Sequence, residues 1–368
     1  MTTTRREEIL SHLRHLYEGC GYVPYKMRKF EEYDLYAHNK SFLLSEKILT
    51  FTDTDGKLMA LKPDVTLSVV KTVDKALRGT KKVSYSESVY RPGGGSEGFK
   101  EIRQIGLECI GEIDTYLVTE VLSLALESLA ALSEQYVLDL SHMGFLSALF
   151  RAAGVKEEDE EELLRAIGQK NLPALRRFTE EKGIDGEMRA ALCAVARLSA
   201  PLSEALELLA PYVCTPALRE AYGELVSLAD ALRAWPLGGS VRLDFSVQND
   251  RNYYNGIVFR GYVPSVPEAV LSGGRYDRLM ERMGKSASAI GFALCPELIP
   301  TERGDGFDVD ALLVYSPSDN PGDVARAVNL LRRRGMTVRA EREGSDCRDV
   351  RYRGLYRPSD LCEGGNVK

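Results

Sequence analysis

Gln104 and Glu108 lie four residues apart in the run FKEIRQIGLECIG. Side chains along a strand alternate faces with a period of two, so both point the same way. They could line a ligand pocket together, or they could lie on the solvent face of a half-buried strand. Asp64 and Thr66, in LKPDVT, are residue types that cap a helix. Tyr253 and Tyr254, in DRNYYNGIVF, fit either a core or a turn. The glycine-rich run GGGSEG at 93–98 has no following Gly-Lys-Ser/Thr and is flanked by strands. Neither a P-loop nor a dinucleotide loop is built that way, and a hairpin tip is expected. A two-glycine loop, Gly273-Gly274-Arg275-Tyr276-Asp277, leads into an amphipathic helix and then a strand over Ile290 to Leu294. A nucleotide-using enzyme would follow such a unit with an arginine for phosphate. Here the chain reads Pro296-Glu297-Leu298. The run LRRRG reads as the basic end of a helix.

The elements that must carry these residues come next. Thr4 is expected to cap a helix to about Glu18, with Ile9, Leu10, Leu13 and Leu16 on its apolar face and Gly19 and Gly21 ending it. Alternating apolar residues around Asp55-Gly56 predict a hairpin that Pro63 closes. DVTLSVVKTVDKAL reads as a helix capped by Asp64 or Thr66. KKVSYSESVYRP and FKEIRQIGLECIG form a strand pair, a helix follows over Thr115–Leu132, and QYVLDLSH is another strand. From about Met143 to Trp235, Ala, Leu, Glu and Arg recur at 3.6-residue spacing with no convincing strand. Strands return in SVRLDFSV, GIVFRGYV and SAIGFAL. A linker near 300–306 precedes one β-α-β unit, and the tail from Cys347 has no clear periodicity. The expected organisation is a core of residues 1–142 and 236–300, a helical insertion over 143–235, and a short α/β unit over 307–368. Hairpins rather than βαβ repeats predict an antiparallel sheet with helices packed on it, an α+β fold.

Composition narrows the class. The chain has 368 residues, 44% apolar and 28% charged, with a net charge of −6. That is ordinary for a globular protein and argues against nucleic acid as the main partner. Seven scattered cysteines without a CxxC pair fit reduced thiols in the cytoplasm. Four histidines without metal-ligand spacing predict no zinc site, and no cofactor is expected. The polar, helical N-terminal run predicts no signal peptide, and no stretch reaches the apolar length of a membrane span.

Four runs then combine. LKPDVT, FKEIRQIGLE, YYNGIVF and SGGRYDRLM…AIGFAL occur in the order and approximate spacing of the histidyl-tRNA synthetase catalytic core. The resemblance covers about residues 5–300 and implies a class II aminoacyl-tRNA synthetase-like antiparallel sheet flanked by helices. It implies that Asp64, Thr66, Gln104, Glu108, Tyr253 and Tyr254 hold free histidine. Carboxylates suit its ammonium and imidazole N–H groups, and tyrosines wall the ring.

The synthetase arginines are missing from their expected places. Aligned on Arg91-Pro92, Ser88 takes the place of a phosphate-gripping arginine. Leu298 ends the run where another opens a helix, and Asn249 takes the place of a third. Losing one donor to the transition-state charge typically costs about 2.7–4 kcal/mol. A synthetase core of this kind resembles the regulatory subunit of ATP phosphoribosyltransferase, with Lys62 where the family commonly has arginine. That resemblance implies a non-catalytic chain, feedback control by histidine, a short-form catalytic subunit as partner, and a homodimer within a hetero-oligomer. The alternatives are a divergent histidyl-tRNA synthetase and a synthetase-like module acting on RNA or protein. The C-terminal β-α-β unit is similar to a shortened anticodon-binding domain and is not expected to bind tRNA.

Overall fold

The computed structural model describes residues 3–40, 43, 47–75, 77–93, 98–248, 255–264, 266–299 and 307–362. The chain divides into two compact units, Arg6–Pro300 and a second that holds the residues from Thr301 onward.

The first elements are α1 (Thr3–Gly19), β1 (Val23–Pro24), β2 (Phe30–Glu32) and α2 (Tyr33–Ala37). Then come β3 (Thr50–Thr52), β4 (Leu58–Leu61) and α3 (Thr66–Lys71). The long hairpin β5 (Lys81–Pro92) and β6 (Phe99–Gly111) precedes α4 (Thr115–Leu132) and β7 (Val137–His142). Six helices follow: α5 (Met143–Ala152), α6 (Glu160–Gly168), α7 (Leu172–Glu181), α8 (Gly186–Arg197), α9 (Leu202–Leu209) and α10 (Pro216–Leu232). Between α8 and α9 lies β8 (Ala200–Pro201). The unit closes with β9 (Val241–Leu243), β10 (Ile257–Tyr262), β11 (Leu271–Arg275), α11 (Asp277–Arg282) and β12 (Ser288–Leu294).

Nine strands form one sheet in the order β1-β5-β6-β12-β11-β10-β7-β9-β8. From β5 to β7 every neighbour is antiparallel, while β1–β5 and β7–β9 are parallel. This is the α+β, class II synthetase-like architecture. The strands β2, β4 and β3 make a separate small sheet. Its hairpin turns at Asp53–Lys57, with Gly56 at φ 79° supplying the left-handed residue.

One face of the large sheet is covered by α4. A Cβ added at Gly261 would come within 2.7 Å of Leu129 of that helix. The carboxylate of Asp114 caps α4 by accepting from the Leu117 N–H at 2.9 Å. This helix is long and apolar enough to cross a membrane by length and composition, yet 67% of it is buried within the protein. The opposite face carries α3, whose Leu67, Val69 and Val70 pack with Val83, Tyr85 and Val89 of β5 and with Tyr276 and Leu279. In α1 the buried stripe is Ile9, Leu13 and Tyr17, with Leu10 and Leu16 half-buried, and Gly21 at φ 81° ends the segment.

Four details of this first unit differ from the sequence reading. The helix begins at Thr3, so Thr4 lies inside its first turn. The helix after Pro63 stops at Lys71, with Thr72 as its C-cap; β-branched Val69, Val70, Thr72 and Val73 lower its helix propensity. The two-glycine segment at 273–274 is strand β11, not a loop. A Cβ at Gly273 would sit 2.4 Å from the Gly291 carbonyl and 2.6 Å from Phe259, so this glycine serves close strand packing rather than a turn. The stretch 143–235, read as lacking strands, contributes β8, which pairs with β9 at the sheet edge.

The second unit contains β13 (Val309–Tyr315), α12 (Pro321–Arg333), β14 (Val338–Arg342), β15 (Tyr352–Tyr356) and α13 (Pro358–Cys362). The strands pair in parallel in the order β14-β13-β15. Ala327 and Leu331 of α12 pack on Ala311 and Leu313. The tail after Cys347 thus adds a third strand and a helix to the single β-α-β unit that the sequence suggests. In β15 the inward positions include Gly354 and an outward one is Leu355, which hides its alternation.

Candidate functional site

Residues directly opposite in an antiparallel ladder share a face. Glu108 is opposite Val83 on β5 and Gly291 on β12; Gly291 is opposite Gly274, and Gly274 opposite Val258. Gln104 is opposite Glu87. These residues therefore lie on the α3 face of the sheet. Gln104 and Glu108 are 6% and 2% exposed, so the solvent-face alternative falls. Glycine at 291 makes room: a Cβ there would lie 1.9 Å from Glu108 Oε2.

Glu108 is tied at both oxygens. Thr66 donates its hydroxyl to Oε1 at 2.8 Å, and Tyr276 donates to Oε2 at 2.6 Å. Burial pushes the carboxyl up to about 8, against the two hydroxyl bonds and helped by the nearby Asp64 charge. Asp64 accepts from the Leu67 N–H at 2.9 Å and so caps α3. Burial also raises Asp64, opposed by the Arg91 guanidinium and by backbone N–H groups. The Gln104 carboxamide points toward Cys295 Sγ at 3.9 Å. The structure thus brings Asp64, Thr66 and Glu108 together and places Gln104 further along the same sheet face. Tyr253 and Tyr254 lie outside the described residues, as does Asn249.

Tyr276 is the residue that reading the sequence for this site missed. It sits in GGRYD, whose glycines drew attention, but its hydroxyl partner is 168 residues away along the chain. It is 2% exposed, and a buried Tyr hydroxyl needs a partner, but neither its burial nor that partner can be read from the sequence.

The strand register also changes the reading of the arginines. Ser88 is opposite Arg103, one residue out of phase with the Glu87–Gln104 pair, so it faces away from Glu108. Arg91 shares the face of Glu87 and Val89. Its Nε donates to the Pro63 carbonyl at 2.9 Å, and its charge acts on Asp64 and Cys295. A guanidinium therefore lies on the Glu108 face of β5, while Ser88 lies on the other face. Beyond β12, Glu297 turns an acid toward β6, accepting from the Arg103 N–H at 3.3 Å, and Leu298 is 37% exposed.

An antiparallel sheet with α4 on one face, and on the other a buried polar cluster set between β6, β12, α3 and the start of α11, defines a class II aminoacyl-tRNA synthetase-like protein. The chain belongs to the histidyl-tRNA synthetase family, whose model matches residues 1–299. It is similar to curated proteins named ATP phosphoribosyltransferase regulatory subunit. That of Acetivibrio thermocellus is 25% identical over 359 residues, covering 94% of this chain and 85% of the relative. In fold it is similar to an ATP phosphoribosyltransferase regulatory subunit/histidyl-tRNA synthetase from Bacillus halodurans, at a TM-score of 0.79 and 22% identity over 96% of this chain and 94% of that one. It is also similar in fold to a chain of the ATP phosphoribosyl transferase complex from Thermotoga maritima, at a TM-score of 0.60 and 20% identity over 78% and 96%.

Proposed function

We propose that this chain is a non-catalytic regulatory subunit of ATP phosphoribosyltransferase that binds free histidine on the Glu108 face. The observation that carries the reading is a charge balance. Glu87 is paired with Lys62 at 2.6 Å, and Asp64 lies in the field of Arg91. Glu108 is held only by hydroxyls, and no described lysine or arginine reaches it. Glu108 therefore has no cation beside it and keeps its proton near neutral pH, and a ligand ammonium or imidazolium draws that proton off and supplies the counter-charge.

The relatives' name supports a partner chain that performs the catalysis, and the reading takes that partner as a short-form ATP phosphoribosyltransferase in a cytoplasmic hetero-oligomer built on a homodimer. Histidine then shifts that complex toward a less active state, with a coupling of about 1–3 kcal/mol. The acid at Glu297 and the apolar Leu298 disfavour a triphosphate at that corner. Calorimetry with histidine tests the site: saturable heat supports it, and none at millimolar histidine overturns it. Mixing with a short-form catalytic subunit, with and without histidine, tests the regulation.

One observation favours a second reading, a divergent histidyl-tRNA synthetase. Arg91 on the pocket face keeps a cation where an adenylate would need one. Histidine-dependent exchange of pyrophosphate into ATP would establish that activity, and its absence alongside histidine binding supports the regulatory reading.

A further inference from the structure

Lys62 is 1% exposed, and its ammonium lies 2.6 Å from Glu87 Oε2. The other oxygen of Glu87 accepts from the Met27 N–H at 3.0 Å. The backbone of Lys62 is held as well. Its N–H donates to the Lys29 carbonyl at 3.2 Å, and its carbonyl accepts from the Tyr90 N–H at 2.9 Å. The next carbonyl, that of Pro63, accepts from Arg91 Nε. Then come Asp64, which caps α3, and Thr66, which donates to Glu108. One buried ion pair thus joins the 27–29 segment, the end of β4 and the middle of β5, immediately upstream of two residues of the pocket.

Glu87 is also the cross-strand neighbour of Gln104. Without Lys62 the face would present a second acid with no cation beside it. We infer that Lys62 and Glu87 are positioning residues for the Glu108 site, fixing the Lys62-Pro63-Asp64 turn and leaving Glu108 as the acid without a cation beside it for the ligand to meet. Histidine as that ligand rests on the function proposed above; the positioning role does not.

Buried pairs often contribute little net stability and can be replaced together at small cost, whereas removing one partner strands a charge. The decisive variant is therefore the double replacement Lys62→Met with Glu87→Gln. The glutamine keeps an acceptor for Met27 and leaves no stranded charge. Three readouts are followed in the full-length protein. They are hydrogen exchange at the Leu67 and Tyr90 amides, the titration of Glu108 by carbon NMR with labelled glutamate, and histidine affinity by calorimetry.

The expected result is a folded protein in which both amides exchange faster, Glu108 titrates at a different pH, and histidine binds about tenfold more weakly. Glu87→Asp, which keeps the charge but shortens the arm, should give the same changes in smaller degree and serves if the double variant does not fold. Wild-type values for the exchange and the titration in the folded variants would overturn the positioning role. If the wild-type protein takes up no histidine, the functional reading falls, while the exchange and the titration still decide the role of the pair.

Discussion

Tyr276 donates its hydroxyl proton to Glu108 Oε2 at 2.6 Å, joining the start of α11 to the middle of β6. The tyrosine is fully enclosed, so no water substitutes for it readily. Tyr276→Phe keeps the ring and removes one donor from a buried carboxyl. Leaving such a group short of a partner costs about 1–3 kcal/mol, which urea unfolding should register. The tyrosine bond lowers the Glu108 pKa, so its loss should move the titration further up. Histidine binding, which needs the carboxylate, should weaken at neutral pH.

Glu108 also makes stability depend on pH. Its folded value of about 8 lies above the ordinary glutamate value of 4.5. Between those two values the unfolded chain has lost the proton that the native protein keeps. The unfolded state is therefore favoured progressively as pH rises through that window, and stability falls. Glu108→Gln cannot ionise, so its stability should decline less between pH 5 and pH 8 in parallel denaturant titrations (about those limits, from the linkage relation). A cationic ligand pulls the other way. At neutral pH its binding should expel on the order of one proton per site, measurable by calorimetry in buffers of different ionisation enthalpy.

What could be read from the sequence here was local. Period-two alternation fixed the shared face of Gln104 and Glu108, and the hairpin carrying them has the bounds that its glycine-rich tip and apolar pattern suggest. Residue type offered Asp64 or Thr66 as the cap of α3, and the Leu67 N–H bond selects Asp64. The partner of Tyr276 did not follow, because it depends on strand order between β6, β12 and β11. Gly273-Gly274 looked like a turn because glycine marks turns and crowded strand centres alike. The phase of Ser88 against Gln104 required the hairpin register, which a loop of uncertain pairing leaves open.

Gly291 provides a steric test of the pocket. A Cβ there would meet Glu108 Oε2 at 1.9 Å and the Leu107 carbonyl at 2.4 Å. The second contact is backbone within the sheet and cannot swing aside. Gly291→Ala should therefore destabilise by about 1–3 kcal/mol, the range for overpacked interiors, and displace the Glu108 carboxyl. A lowered urea midpoint with an unchanged slope would register the first effect. Reduced histidine uptake in the remaining folded protein would register the second. A variant as stable as wild type would mean that β6 and β12 are spaced more widely than described.

Arg91 and Ser88 separate two accounts of the missing arginines. In the ladder Glu87↔Gln104 and Ser88↔Arg103, Arg91 rather than Ser88 shares the face of Glu108. Arg91→Met then removes the counter-charge of Asp64 and one anchor of the Pro63 carbonyl. The Asp64 carboxyl should titrate higher, since the guanidinium opposes its upward displacement. Histidine affinity should fall by about tenfold to a hundredfold, as for a lost hydrogen bond to a charged group. Ser88→Ala, on the far face, should leave affinity within about twofold, as expected for a site that shares no partner with the ligand. Calorimetry on the pair decides: equal losses from both variants would mean that the register is slipped by one residue. In that case Ser88 returns to the pocket, and the absence of its arginine regains its force.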